Sequence, residues 1–208
     1  MDLQILGWLK ETGITWVRPS DVERQFGVSR TRASWALARL RRYGLVSLVA
    51  KGLYYSCFAR PLPNTLLLHR EIAPDSYISF QAALHLRGVI VQAPYVVTCA
   101  RWNGPSLRVD NDFGEYWFER VPRRFAFGFE AVPGGFYDLA VPEKALLDSV
   151  WLALRRGYRP RTEELYLAGN LDPDRFLEYA RRMGLLRAVR RLGLADPSRW
   201  PGLEPQVK

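Results

Sequence analysis

Cysteine, histidine and long apolar runs are scarce in this chain of 208 residues. Its two cysteines, Cys57 and Cys99, are far apart in sequence, which excludes a disulfide framework and a cysteine-rich zinc site and is typical of a reducing cytoplasm. Its two histidines, His69 and His85, are too distant to form a metal pair on one helix. No apolar run approaches the ~18 residues of a membrane span, and no signal-peptide pattern begins the sequence. We therefore expect a cytoplasmic protein without a membrane anchor.

Groups that could support catalysis are also few. The segment most like a metal site is Asp110-Asn111-Asp112, but Asp and Asn shortly before a glycine such as Gly114 more often hydrogen-bond their own backbone in a turn. No glycine-serine loop that would cradle a phosphate accompanies it, and no convergent set of catalytic side chains is apparent. The sequence predicts no catalytic residue, no cofactor and no metal ion, and so a protein that is not an enzyme.

What the chain does have is positive charge, concentrated near its N-terminus. The formal net charge is +9, and residues 1–60 contribute +6 of it through ten cations and four acids. Such a surplus favours an anionic partner, with nucleic acid the first candidate. Of the 30 cations, 26 are arginine. Arginine suits contact with phosphate or guanine through two hydrogen bonds, although a GC-rich genome would produce the same bias.

Apolar spacing in the first sixty residues predicts three helices and a hairpin. The predicted elements are helices over residues 3–9, 21–26 and 30–43 and strands over 45–49 and 53–58. Ser20 is the expected N-cap of the second helix and Ser29 that of the third, and Gly27 permits the tight turn between them. The hairpin turn is expected at Ala50-Lys51-Gly52. Together these elements predict a winged helix-turn-helix.

The third predicted helix is the strongest candidate for a nucleic-acid contact. Ala33, Leu37 and Leu40 fall on one buried stripe, and the opposite face is polar and basic. A recognition helix buries one face on its own domain while its N-terminal half meets base edges in the major groove. The hairpin would be the wing, with Lys51 near a phosphate or the minor groove. The predicted DNA-binding residues are Arg18, Ser29, Arg30, Thr31, Arg32, Ser34, Trp35, Arg39, Arg42, Lys51 and Tyr54.

Two alternatives accompany this prediction. The first is a small helical domain whose basic face is merely solvated and contacts no DNA. The second concerns Trp35, which would either stack at the DNA surface or pack against the second domain, with packing slightly favoured.

A proline-containing linker at residues 60–64 separates the N-terminal part from a stretch richer in aromatic residues and strands. Strands are predicted over 95–100, 115–121, 125–132 and 136–141, and helices over 142–156, 174–182 and 185–192. A further helix, capped by Ser76 or Ser79 and ending at Gly88, is predicted to contain Ala82, Ala83, Leu84 and Leu86. Phe125, Phe127 and Phe129 alternate at period two, which predicts a strongly apolar sheet face. The predicted fold class is α+β: a winged helix-turn-helix at 1–60, then at 64–208 a mixed α/β domain with an aromatic-faced sheet and flanking helices.

Two charged segments of the second part allow more than one interpretation. Glu143 is expected to favour the positive end of its helix dipole, and Lys144 and Asp148 to form an ordinary i, i+4 pair worth ~0.2–0.5 kcal/mol. The alternative is that this acidic helix start contacts a partner protein. Residues 179–195 hold five arginines and no acid. That pattern is typical of a solvated face, the alternatives being an extended DNA footprint or an acidic partner.

Three stretches resemble a known family. "VRPSDVERQFGVSRTRASWALARLRRYGLVSLVAKGLYYS" (17–56) resembles the N-terminal winged helix of AbiEi-type antitoxins, above all at Gly44-Leu45-Val46 and Lys51-Gly52-Leu53-Tyr54. "SYISFQAALHLRGV" (76–89) and "FYDLAVPEKALLDSVWLAL" (136–154) are similar to the second domain of that family. The resemblance covers most of residues 5–160.

The resemblance implies a transcriptional autorepressor of a type IV toxin–antitoxin operon, whose toxin is a nucleotidyltransferase-like protein. In that case residues 1–60 bind promoter DNA, and residues 64–208 form an AbiEi-like domain for regulation and protein interaction, with additional DNA contact as an alternative. Two other functions stay open: a toxin-neutralising interaction module with secondary DNA binding, and a stand-alone regulator without a toxin. The oligomeric state is open as well, since a dimer on two half-sites and a monomer with two contact surfaces both fit.

Overall fold

Two β-sheets organise the protein in the computed structural model, which describes residues 1–60, 63–134, 137–160, 165–167 and 170–200. The fold is α+β, with N-terminal helices and a three-stranded antiparallel sheet followed by a six-stranded mixed sheet with flanking helices. The N-terminal elements are α1 (Asp2–Thr12), β1 (Trp16–Val17), α2 (Pro19–Phe26), α3 (Arg30–Arg42), β2 (Val46–Ala50) and β3 (Leu53–Ser56).

The second part contains the larger sheet and five further helices among the described residues. Its elements are α4 (Leu68–Ile72), β4 (Ser76–Ile78), α5 (Phe80–Leu86), β5 (Val96–Arg101), β6 (Leu107–Asn111), β7 (Gly114–Arg120), β8 (Phe129–Ala131), β9 (Asp138–Ala140), α6 (Pro142–Arg155), α7 (Pro173–Arg182) and α8 (Leu186–Arg191). Short 3-10 turns lie at Thr65–Leu67, Arg123–Phe125 and Pro197–Arg199. The strand order is β6-β7-β5-β4-β9-β8, in which β5 pairs with β7 and β4 with β9 in parallel.

The N-terminal helices enclose a small core of their own. The predicted stripe on α3 is buried, and it meets the apolar faces of α1 and α2. The buried residues of this core are Ile5, Leu9, Val17, Val22, Ala33, Ala36, Leu37, Leu40 and Val46. Each Å² of apolar surface buried stabilises the fold by about 25 cal/mol, and this holds the apolar face of α3 against its neighbours. The opposite face of α3 stays in solvent.

The start of α2 differs from the prediction. The helix begins at Pro19, and Arg18 rather than Ser20 is its N-cap. The backbone N–H of Arg18 donates to Asp21 Oδ2 at 2.8 Å, and a proline is tolerated at the first helical position because its missing N–H would have no partner there. The prediction that Ser20 caps this helix is therefore wrong.

The hairpin of β2 and β3 contributes to both cores. Val46 belongs to the N-terminal core, whereas Val49, Leu53 and Tyr55 belong to the large core of the second part. Tyr55 also meets Phe113, at the β6–β7 turn, edge to face at 5.9 Å between ring centroids. The expected division of the chain at residues 60–64 stays a prediction. Apolar residues from before this segment nevertheless pack in the same core as residues from after it. Residues 61 and 62 of the expected linker lie outside the described part of the chain.

The aromatic strand predicted over 125–132 is shorter than expected. Phe125 lies in a 3-10 turn and Phe127 precedes the strand, so only Phe129 of the three alternating phenylalanines is part of β8. Phe127 instead packs edge to face on Tyr179 of α7, at 5.0 Å between ring centroids. Gly128, with φ of 69°, changes the direction of the chain just before β8. Period-two spacing therefore misidentified a turn as a strand.

Other boundaries follow local signals more closely. Ser79, not Ser76, is the N-cap of α5, and Ser76 begins β4 instead. The predicted strand over 136–141 corresponds to Asp138–Ala140, with residue 136 outside the described part of the chain. Sequence patterns do not predict β1, β4, β6 or α4. At the end of β6, Asn111 Oδ1 accepts the Phe113 N–H at 2.8 Å, which confirms the expected turn.

Candidate nucleic-acid interface

Helix α3 begins with a strong local signal. The Ser29 side chain accepts a hydrogen bond from the Arg32 N–H at 3.3 Å, as expected of an N-cap, and Gly27 adopts the left-handed conformation that ends α2. The predicted helix over 30–43 is therefore confirmed within one residue at its C-terminal end, where Arg42 is the last helical residue. Local capping thus fixes the direction in which the N-terminal end of α3 points.

The face of α3 opposite the core presents uncharged residues bordered by arginines. Thr31, Trp35 and Ala38 lie near its centre and are exposed, and Arg30 and Arg32 are exposed at its N-terminal end. Trp35 is 68% exposed, so the slightly favoured expectation that it packs against the second domain is wrong. Ser34 is half-buried and donates its hydroxyl to the Arg30 carbonyl oxygen at 2.9 Å.

Arg39 is held by a carboxylate from α1. Its Nε and Nη2 atoms donate to the two Asp2 oxygens, each at 2.8 Å. The hydrogen bond from Arg39 lowers the pKa of the Asp2 carboxyl, so the pair is ionised at neutral pH. A guanidinium whose Nε and Nη2 atoms already donate to a carboxylate, and whose charge is neutralised by it, binds a phosphate less strongly. Arg39 therefore positions α1 beside α3.

Arg41 is held in the same way from the second part of the chain. Its Nη2 and Nε atoms contact Asp112 Oδ1 and Oδ2 at 2.5 and 2.9 Å. Asp112 Oδ2 also accepts the Leu48 N–H at 2.7 Å, and the Asp112 N–H donates to the Leu48 carbonyl oxygen at 3.2 Å. The hydrogen bond from Arg41 lowers the pKa of Asp112. The β6–β7 turn thus links the C-terminal end of α3 to the hairpin.

These two ion pairs leave the available positive charge in a particular place. No described residue forms an ion pair with Arg30, Arg32 or Arg42, and all three are exposed. Lys51 is exposed at the tip of the hairpin, and Arg18 is exposed at the start of α2. Among the predicted DNA contacts, the cations without an ion pair are therefore at the N-terminal end of α3, at its last residue, and on the two elements that flank it.

Tyr54, the remaining predicted contact, is oriented differently. It is half-buried, pairs with Leu48 in the hairpin register, and packs against the N-terminal core. Its contribution to the exposed face is therefore smaller than that of Lys51, which is exposed at the hairpin turn.

No protein-family model and no curated protein matches this chain. Its function is therefore inferred from its own residues. Among the described residues there is no group of three or more His, Cys, Asp or Glu side chains that could hold a metal ion. The described helices also include none that is both long and apolar enough to cross a membrane.

A buried polar network in the second part was not foreseen from sequence. Lys144 and Asp148 of α6 form the expected i, i+4 ion pair, but both side chains are completely buried. Asp148 Oδ2 accepts the hydroxyls of Tyr77 and Ser79 at 2.9 and 2.8 Å, and Lys144 Nζ donates to the Tyr77 oxygen at 2.6 Å. Burial lowers the pKa of Lys144 and raises that of Tyr77. The pair therefore joins α6 to β4 and is not an ordinary surface pair.

Glu143, next along the same helix, is also buried. Its Oε1 accepts the Asp172 N–H at 2.6 Å, and its Oε2 lies 3.1 Å from Arg175 Nε. The carboxylate thus holds the start of α7 against α6. The alternative that Glu143 contacts a partner protein is wrong, because no part of the side chain reaches the surface.

His69 is a packed residue with a single defined proton. Its Nε2 accepts the Asp138 N–H at 3.3 Å, so its Nδ1 carries the hydrogen and donates to Ser76 Oγ at 2.9 Å. Burial lowers the pKa of His69 from 6.5 to about 4, so the imidazole is neutral at pH 7. Together with the Lys144 network it forms a polar interior that has no exposed reactive atom.

The five arginines near the C-terminal end of the described chain remain on the surface. Arg182 lies over the Phe127 ring at 3.6 Å from its centroid, which holds this side chain against the second part of the chain. The others in this group are exposed: Arg181, Arg187, Arg190 and Arg191. This arrangement fits the expected solvated face, and extension of a DNA footprint stays an alternative for experiment.

Proposed function

We propose that this protein is a sequence-specific regulator that binds double-stranded DNA through the exposed face of α3. In this proposal α2 and α3 form a helix-turn-helix, the β2–β3 hairpin is the wing, and the N-terminal half of α3 enters the major groove. The protein carries out no chemical reaction in this function, and it needs neither a cofactor nor a metal ion.

One observation carries the proposal: the distribution of ion pairs around α3. Arg39 and Arg41 are occupied by Asp2 and Asp112, whereas Arg30 and Arg32 at the N-terminal end have no described partner. A recognition helix that contacts base edges through its first two turns needs its free cations there. The phosphates on both sides of the groove attract those cations.

The finer proposal is that the protein represses its own operon, as an antitoxin paired with a nucleotidyltransferase-like toxin. It is supported by the resemblance of residues 17–56, 76–89 and 136–154 to AbiEi-type antitoxins. A nucleotidyltransferase gene beside the gene of this protein would support the pairing, and its absence would favour a stand-alone regulator. Nuclease protection of DNA upstream of the protein's own gene tests the repression directly.

DNA binding is tested by the salt dependence of affinity for a fluorescent duplex pool of random sequence. If Arg18, Arg30, Arg32, Arg42 and Lys51 each meet a phosphate, the logarithm of the binding constant should fall with the logarithm of salt concentration at a slope of about −4.5. The double variant Arg30→Gln/Arg32→Gln should make the slope shallower by about 2. A slope near zero for the unchanged protein would refute the proposal.

The matched control is Arg187→Gln/Arg190→Gln on α8, which removes the same charge from another exposed surface. It should leave the slope unchanged. If both double variants make the salt slope shallower by the same amount, the basic C-terminal helix is a second DNA surface beside α3. Selection of binding sites from random duplexes with the intact chain then shows whether binding depends on sequence.

A further inference from the structure

The exposed face of α3 carries an apolar patch at its centre. Trp35 is 68% exposed and Leu3, at the start of α1, is 83% exposed. Both line one open depression together with Arg32 and Arg39. The two hydrogen bonds from Arg39 to Asp2 hold the first turn of α1 beside α3, so this ion pair keeps Leu3 and Trp35 on the walls of the same depression.

An exposed tryptophan at this place calls for an explanation. Single exposed apolar residues are common on protein surfaces, but contiguous apolar groups bordered by charge mark binding sites. Helix geometry places Trp35 almost opposite the buried stripe of Ala33, Leu37 and Leu40. The border of the patch is cationic, with Arg32 one turn before Trp35 and Arg42 two turns after it. An occupant must therefore be apolar at its centre and anionic on both sides.

The major groove of DNA fits this description at thymine. The C5-methyl group of thymine is the apolar group that a base pair presents in this groove, and phosphates line both of its edges. Resting on the DNA-binding function proposed above, we infer that Trp35, with Leu3 beside it, is a specificity-determining contact to the methyl groups of thymines. The protein thus prefers sites with one or more thymines opposite the middle of α3.

The charge arrangement also explains why Asp2 is tolerated here. A free carboxylate at the edge of the groove would repel the phosphates, but Arg39 neutralises it with two hydrogen bonds. The same ion pair keeps Arg39 from competing with Trp35 for the bases. In this way Asp2 and Arg39 act as positioning residues for the apolar patch.

The experiment replaces thymine by deoxyuridine, which lacks only the C5-methyl group and pairs identically. Duplex sites are first selected from a random pool with the intact protein, and each thymine of the selected site is then replaced singly. One or two replacements should weaken binding by about fourfold each, the effect expected for one buried methyl group. Trp35→Ala should bind the thymine and deoxyuridine duplexes equally well.

Two controls make the result specific. Tyr95→Ala removes another side chain that is 99% exposed, from the second part of the chain, and should keep the full preference for thymine. Leu3→Ala should reduce the preference without abolishing it, and melting temperatures should agree among the variants because these side chains lie in solvent. Light scattering gives the molar masses of the free protein and of Trp35→Ala, and so shows whether Trp35 holds two copies together.

Each outcome has one meaning. Failure of the intact protein to bind any duplex refutes the proposed function itself. Tight sequence-specific binding in which deoxyuridine has no effect, or in which Trp35→Ala retains the thymine preference, overturns the inference while leaving DNA binding intact. A dimer that Trp35→Ala converts to monomer also overturns it, because a second copy and not DNA would then cover the patch.

Discussion

Asp112 binds Arg41 across 71 residues of sequence, with Nη2–Oδ1 and Nε–Oδ2 distances of 2.5 and 2.9 Å. Asp112 also accepts the Leu48 N–H at its carboxylate and donates its own N–H to the Leu48 carbonyl oxygen, so the β6–β7 turn fixes α3 and the hairpin at once. The second part of the chain thereby sets the angle between the two elements proposed to contact DNA. It also withdraws one arginine from the face that would meet phosphate.

Asp112→Asn should strengthen nonspecific DNA binding. The substitution removes the charge that holds Arg41, so the guanidinium becomes available for one more phosphate and the salt slope should steepen by about 0.9. The half-exposed ion pair contributes little stability, and its loss should cost about 0–1 kcal/mol. Fluorescence anisotropy and urea unfolding measure the two effects. Asp110→Asn, an exposed change of the same charge two residues earlier, should alter neither.

Lys144→Met should destabilise the fold strongly. It leaves Asp148 buried without its cation, and breaking one partner of a buried pair typically costs about 3–5 kcal/mol. The double variant Lys144→Met/Asp148→Leu should lose less than the sum of the two single variants, because no uncompensated charge then remains. Urea denaturation gives all three values. Lys51→Met, on the exposed hairpin tip, should change stability by less than about 0.5 kcal/mol. Additive losses in the double variant would contradict an energetic coupling.

Stability should fall when the pH is lowered from 6.5 towards 4, in part because of His69. The folded-state pKa of about 4 lies below the unfolded value of 6.5, so the unfolded chain takes up a proton in this range and the folded chain does not. The linkage amounts to about 3 kcal/mol across the window. His69→Gln should flatten this part of the pH dependence of unfolding, whereas His85→Gln, which removes the other histidine, should preserve it. Equal slopes in both variants would exclude His69 as the source.

Gly128→Ala should be more harmful than Gly157→Ala. Both glycines have a left-handed backbone, with φ of 69° and 75°, and alanine is strained there by about 1–2 kcal/mol. A Cβ at residue 128 would in addition lie 2.8 Å from the Tyr179 ring and 3.1 Å from Lys144 Cβ, while one at 157 meets nothing within 4 Å. Overpacking adds about 1–3 kcal/mol at residue 128 alone. Thermal unfolding compares the two variants, and equal shifts would contradict the steric explanation.

Elements defined by local signals could be predicted from the sequence. The Ser29 cap and the stripe of α3, the Pro142 start of α6 and the Asp172 cap of α7 are local features, and the corresponding helices are confirmed within one or two residues. Each depends on residues within one turn of the helix end or on a 3.6-residue period. Once the stripe fixes which residues of α3 are buried, the helical period also identifies those that are exposed.

Features that depend on distant contacts could not be predicted. The spacing of Lys144 and Asp148 indicates an ion pair but is the same on a surface and in a core, and only Tyr77 and Ser79, some seventy residues away, reveal the burial. Occupation of Arg41 by Asp112 likewise requires the β6–β7 turn to be in place. The predicted DNA contacts, chosen from helix periodicity and charge, therefore included Arg39, and the tertiary structure shows that Asp2 already holds this side chain.

The hairpin of β2 and β3 has a further consequence for protein engineering. Because Val49, Leu53 and Tyr55 lie in the large core while Val46 lies in the small one, the two strands pack against both cores. Truncation after residue 60 would uncover an apolar strip and invite aggregation. Transplanting the N-terminal helices onto another scaffold would require a substitute for the second sheet. The transferable module of this protein is therefore the whole chain.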